Sequence, residues 1–350
     1  MATVRQKTVD IRQFIIDMVQ HHPGDIAART RMAFKVSRQA VNKHLQELCD
    51  SGVLLASGRT SSRIYELCAL AEFDETMPLA GLEEHVPWEA TIRPLLVGVS
   101  KNVLDICAYG FTEMLNNAID HSGSEAVTIQ CRHTAESIRL SIKDKGVGIF
   151  KKIKQSIGLH DEREAVLELA KGKLTTDPVR HTGEGVFFTS RIVDLFSIWS
   201  GQLFFTHIRP DSDWLIEIDR DDMPGTSVDL VVSMKSKLEF KDVFDQYTNG
   251  EDLTFSKTHV PIRLAQYGSD NLLSRSQARR VLSRFNRFSE VFLDFYGVTF
   301  IGQAFADEIF RVFQTANPGI KLVSTNANSL VAGMIRRAID VKHERQKELF

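Results

Sequence analysis

Phe111-Thr-Glu-Met-Leu-Asn-Asn-Ala-Ile-Asp-His-Ser122 is the stretch on which the rest of the 350-residue chain turns. Leu115, Ala118 and Ile119 recur at helical spacing, which predicts an amphipathic helix with one apolar side. Glu113 and Asn117 stand four apart, so their polar ends share a helix face. A carboxylate able to take a proton from water, one turn from an amide oxygen able to hold a metal, suits phosphoanhydride chemistry. Alone, such a pair is most often solvated surface.

Two further stretches give it context. The alternating run Ser137-Ile-Arg-Leu-Ser-Ile-Lys143 reads as a strand, and it leads into Asp144-Lys-Gly146-Val-Gly148-Ile149. A buried carboxylate is therefore expected at a strand end, followed by two glycines that let a ligand approach the backbone. Further on, His181-Thr-Gly183-Glu-Gly185-Val-Phe-Phe-Thr-Ser-Arg-Ile-Val193 runs from a glycine turn into an apolar helix. Backbone N–H groups at such a turn and helix start hold phosphates well. Each glycine pair is a weak signal; the ordered set is a strong one.

In this order the three stretches resemble the GHKL ATPase superfamily, the ATP-binding domains of gyrases, chaperones, mismatch-repair proteins, histidine kinases and anti-sigma kinases. The resemblance implies ATP and Mg2+ as cofactors. It makes Glu113 the general base and Asn117 the magnesium ligand. Asp144 becomes the acceptor for the adenine amino group, with Gly146 and Gly148 flanking the base and Gly183 and Gly185 forming the phosphate turn. Pro224-Gly-Thr-Ser-Val-Asp-Leu-Val-Val232 resembles the closing strand of that family and places Thr226 near the adenine.

Composition bounds the remaining choices. The length suffices for two or three domains. Lys and Arg number 43 against 45 Asp and Glu, a net charge of -2, so a nucleic-acid contact would need a local basic patch. Cys49, Cys68, Cys107 and Cys131 are scattered without metal-ligand pairing, and there is neither an apolar leader nor a membrane-length apolar run. A cytoplasmic protein with reduced thiols and no membrane partner is the expectation.

Residues 1–72 read as three helices and a hairpin. Ile11, Phe14, Ile15 and Met18 mark the first helix, Asp25 is placed to cap the second, and Ser37 to cap the third. Ser51 to Leu67 alternates on either side of a Gly/Ser/Thr turn. This resembles a winged helix-turn-helix DNA-binding domain. Arg38, Gln39, Asn42 and Lys43 then become candidates for base edges, and Arg59 and Arg63 candidates for the DNA backbone or minor groove. Basic side chains outnumber acidic ones in this segment. The bland alternative is an ordinary polar face that mediates dimerisation or protein contacts.

Residues 73–88 carry acidic residues and two prolines without a sustained period and read as a linker to an ATP-binding domain over 89–235. Within it, 150–180 occupies the place of the ATP lid. Lys171, Lys173, Arg180 and His181 are candidates for phosphate contact, although such positions are ordinarily solvated or loop residues. A charged joint, 236–252, leads to a strand–helix alternation over 253–340 that predicts a small α/β unit, followed by a charged tail, 341–350. Leu293 to Ile309 resembles the STAS-like domain found behind GHKL modules and, more distantly, anti-sigma-factor antagonists. Where those antagonists carry a phosphorylatable Ser, this chain has Gly302-Gln303-Ala304. Asp307 and Glu308 read as a surface acidic pair.

The expected fold is thus a multidomain α/β chain: winged helix-turn-helix, GHKL α/β sandwich and STAS-like domain. The expected function is an ATP-binding, slowly hydrolysing, DNA-binding regulator whose nucleotide state switches the two flanking domains. It allows a homodimer and a regulatory protein partner. The rivals are an anti-sigma-type serine/threonine kinase acting on a partner, and a nucleotide-sensing scaffold without turnover. No His-bearing helical hairpin precedes the first motif, which argues against a self-contained histidine kinase.

Overall fold

The computed structural model describes residues 2–59, 62–175, 183–210, 212–219, 222–249, 254–266 and 271–347. The first unit contains α1 (Ala2–Met18), α2 (Ile26–Phe34), α3 (Arg38–Asp50) and an antiparallel hairpin of β1 (Leu54–Ser57) and β2 (Ile64–Leu67). Ile11, Ile15, Val41, Leu45, Leu54 and Leu67 bury a core of their own. Ser37 caps α3 as its sequence position predicts, accepting from the Ala40 N–H at 3.2 Å. Asp25 does not cap α2: its carboxylate takes the Arg29 guanidinium at 2.7 Å instead.

The first part of the stretch read as a linker, 73–78, belongs to a strand. β3 (Ala69–Pro78) pairs antiparallel with β4 (Ala126–Thr134) along its whole length. It lies at the edge of a seven-stranded antiparallel sheet ordered β3-β4-β5-β9-β6-β7-β8. Its other members are β5 (Ser137–Asp144), β6 (Leu195–Gly201), β7 (Leu203–Ile208), β8 (Ser212–Glu217) and β9 (Met223–Ser233). An edge strand needs only one half-buried face, so Phe73 and Met77 suffice to seat β3, and acidic residues fill the exposed positions.

A short helical passage follows: α4 (His85–Pro87), a π turn (Trp88–Ile92) and a 3-10 turn (Arg93–Leu96). It leads into the long α5 (Lys101–His121), which buries Phe111, Met114, Leu115 and Ala118 against the sheet. The same layer holds α6 (Ile149–Ile157), α7 (Glu162–Lys171) and α8 (Gly185–Ile192). Among the described residues no helix is long and apolar enough to cross a membrane.

The charged joint is also structured. α9 (Phe240–Tyr247) stacks Phe244 on Phe188 with ring centroids 4.1 Å apart and sets Phe240 against Tyr109 at 4.5 Å. The C-terminal unit is a three-stranded parallel sheet of β10 (Lys257–Pro261), β11 (Glu290–Asp294) and β12 (Lys321–Thr325). Around it lie α10 (Arg275–Leu282), α11 (Gln303–Ala306), a π-helical stretch (Asp307–Phe313), α12 (Gln314–Ala316) and α13 (Ser329–Lys347). α13 continues through most of the segment read as a tail. Glu308 is not a surface acid: it is buried and accepts from Arg279 Nε at 2.8 Å, while Asp307 pairs with Arg311. One continuous apolar core runs from Leu79 to Ala338, so the sheet domain and the C-terminal unit are joined by packing rather than by a tether.

Candidate functional site: a cavity between the sheet and helices α5 to α8

The three sequence stretches converge on one cavity of about 290 Å³. Glu113, Asn117, Asp144, Gly148, Gly183, Gly185 and Thr226 all line it. Gly146 does not; its N–H is bonded to Asp144, which does.

Asp144 is the last residue of β5, largely buried where it lines the cavity. Its Oδ1 accepts from the Gly146 N–H at 2.9 Å and from the Thr226 N–H at 3.3 Å. Burial raises its carboxyl above the ordinary aspartate range, against the opposing effect of those donors. An acceptor kept in a half-dry site, fixed on one oxygen and facing a cavity, is suited to a donor group on a bound molecule. The Thr226 hydroxyl accepts from the Ile149 N–H at 3.0 Å and so ties β9 to the start of α6.

The glycines serve packing more than ligand approach. A Cβ on Gly146 would lie 2.0 Å from the Ser122 carbonyl oxygen, where the chain crosses the end of α5. Gly148, at φ +89°, would meet the Ser200 hydroxyl at 2.6 Å, and Gly183, at φ +74°, would meet the Leu174 backbone at 2.5 Å. Gly185 differs, because its missing Cβ would sit 2.0 Å from Glu113 Oε2. The Glu113 carboxylate therefore leans directly on the first residue of α8. That is the end of a helix where anions are favoured by free N–H groups and the dipole.

Several residues of this cavity carry no sequence signal. Lys152 donates to the His121 carbonyl and lines the wall with Ile153; Leu169, Leu174 and Thr175 close the side toward the C-terminal unit. The amphipathic period of α6 would point to Ile153, whereas the others depend on tertiary placement.

The segment in the place of the ATP lid is mostly helix among its described residues. Eight residues of α7, Glu164 to Lys171, are buried. Lys171 has no exposed side-chain surface and pairs with Glu168 at 2.6 Å; burial pulls its ammonium down to about 8, a shift that Glu168 opposes. It is therefore turned into the protein and not toward the cavity. Lys173 donates to the Arg287 carbonyl at 2.9 Å. Arg180 and His181 lie outside the described residues.

Among the described residues no group of three or more His, Cys, Asp or Glu side chains stands ready to hold a metal. A single amide, Asn117, beside Glu113 fits a magnesium ion that arrives with phosphate and keeps most of its ligands from phosphate and water. The residues at hand suit that group and not a permanent protein-held metal.

Arg38, Gln39, Asn42 and Lys43 form no part of this cavity. They are exposed along the first turns of α3, and Arg59 and Arg63 are exposed near the β1–β2 turn. Arg63 lies over the Tyr65 ring at 5.5 Å.

Comparison with family models agrees with this geometry. Residues 84–203 match the histidine kinase-like ATPase domain. The middle of the chain thus resembles a GHKL-type ATPase domain. The matched span begins at the α4 turn and includes Glu113, Asn117, Asp144, Gly183 and Gly185, while β3 precedes it, β7 begins at its last residue, Leu203, and β8 and β9, with Thr226, follow. Residues 277–332 match a STAS-like domain of unknown function. No curated protein matches the chain.

Proposed function

We propose that the cavity binds ATP with magnesium and hydrolyses it slowly, and that the nucleotide state governs the domains on either side. One observation carries this reading: three stretches spread over more than seventy residues of sequence bring a carboxylate, an amide, a buried acceptor and a glycine-opened helix start to one cavity. Asp144 would accept from the adenine amino group. Gly183, Gly185 and the first N–H groups of α8 would hold phosphate oxygens. Asn117 would hold magnesium, whose charge offsets that of the phosphates. Glu113 would orient the attacking water and take its proton. Its present seat against Gly185 implies that the carboxylate gives way as phosphate enters, since both cannot occupy the helix start.

The first unit is read as a winged helix-turn-helix. Its order of elements, its separate core and the long donors on the exposed start of α3 support DNA as the partner. A basic face on a chain of net charge -2 makes the contact local.

Incubation with γ-labelled ATP and magnesium tests the chemistry. Label released as inorganic phosphate, with Glu113→Ala at least about a hundredfold slower and still binding nucleotide, is the expected result. Label left on an added partner protein would assign a kinase. Nucleotide binding without release or transfer would leave the scaffold reading.

A further inference from the structure

Helix α7 forms a wall of the cavity through Leu169 and is buried on its other side by the STAS-like domain. Lys171 Nζ donates to Glu168 Oε1 at 2.6 Å and to the carbonyls of Arg280 and Ser283, each at 3.1 Å, at the end of α10. Arg284 closes the cluster, with Nη1 2.8 Å from Glu168 Oε2 and Nη2 donating to the Gly172 carbonyl. Arg280 adds a bond to Glu164 at 3.2 Å. The Thr258 hydroxyl on β10 donates to the Lys171 carbonyl at 2.7 Å. Arg284 holds this position at φ +64°, a left-handed backbone that is strained for a side chain with a Cβ. Such an outlier marks a residue that the surrounding structure holds in place.

A helix of ten residues is marginal by itself, so α7 keeps its shape through what buries it. Glu168 depends on two cations at once, and taking one away leaves a buried charge half-compensated.

We propose that the STAS-like domain is an in-chain clamp on the nucleotide cavity, with Arg284 as the positioning residue. Docked, it fixes α7 and completes the wall; undocked, it releases that wall. Nucleotide binding and domain docking then strengthen each other by the same factor. This rests on the reading of the cavity as an ATP site.

The test uses the full-length chain, Mg-ATP titrated by calorimetry, and amide exchange read separately in 162–172, 275–282 and the first unit. Arg284→Gln is expected to weaken Mg-ATP about tenfold, within the usual range of coupling between sites, and to speed exchange in 162–172 while the first unit is unchanged. Arg284→Lys should recover part of both. In the parent protein, saturating Mg-ATP should slow exchange in α10 as well as α7, an effect that requires no variant. Arg280→Met, at a partly exposed pair, should act in the same direction more weakly and serves if Arg284→Gln does not fold. Failure of the parent to bind Mg-ATP would overturn the ATP reading and this inference together. ATP binding by the parent with α10 exchange indifferent to it, or with folded Arg variants binding as tightly as the parent, would overturn the clamp alone.

Discussion

A methyl group added at Gly146 and one added at Gly185 would meet the same short distance, 2.0 Å, with opposite consequences. At Gly146 the obstacle is the Ser122 backbone carbonyl, which can move only if the end of α5 moves. At Gly185 it is Glu113 Oε2, the tip of a flexible side chain that can rotate away. Gly146→Ala should therefore destabilise the domain by about 1–3 kcal/mol, the usual cost of overpacking, seen as a lower melting temperature. Gly185→Ala should melt within a few degrees of the parent yet lose most ATP hydrolysis, because its methyl group takes up the space at the helix start that the phosphates and Glu113 need. Equal losses of stability in the two variants would contradict the assignment of Gly185 to the site. Residue chemistry of this kind was partly legible in sequence. The Glu113/Asn117 spacing and the strand-end position of Asp144 follow directly from helix and strand periods. The contacts of the glycines do not, since the neighbours that exclude a Cβ come from chain segments far away in sequence.

At the scale of elements, periodicity exposed the helices and central strands because each buries one face. It failed at β3, where Glu75 interrupts the half-buried face and an edge position tolerates the interruption. It also failed at α9, whose aromatic rings find partners on α5 and α8 rather than in their own segment, and at α7 the helix was legible but its burial nearly all round was not. The start of α3 shows the complementary limit: exposure of Arg38, Gln39, Asn42 and Lys43 follows from the helical period, but no period says what they touch. If α3 reads bases, Arg38→Ala and Asn42→Ala should narrow the gap between specific and random duplex, each by about 1–3 kcal/mol. Arg59→Ala should weaken both and lower the salt slope by about one unit. Anisotropy titrations at two salt concentrations check this; no duplex binding at low salt, with or without ATP, would favour a protein partner for this face.

For the whole molecule, the decisive feature is that the ATPase and STAS-like domains share one apolar core, with ionised side chains buried in the seam beside α7. The apolar core packs the domains together, and removing one partner from a buried ion pair in the seam is costly. The first unit keeps a separate core, but the chain leaves it directly into the edge strand β3, and Lys235 pairs with Asp17 across the two. In the proposed switch, a change of state in the middle domain would pass to one neighbour along the chain and to the other through packing. All of this depends on the central cavity holding ATP. Calorimetric titration of the full-length protein and of Asp144→Asn with Mg-ATP tests that most directly. The amide of the variant would set a donor against the adenine amino group, so the parent should bind and the variant should lose on the order of 1–3 kcal/mol of binding free energy. A parent that takes up no Mg-ATP, or an Asp144→Asn protein that binds it as tightly as the parent, would contradict the account.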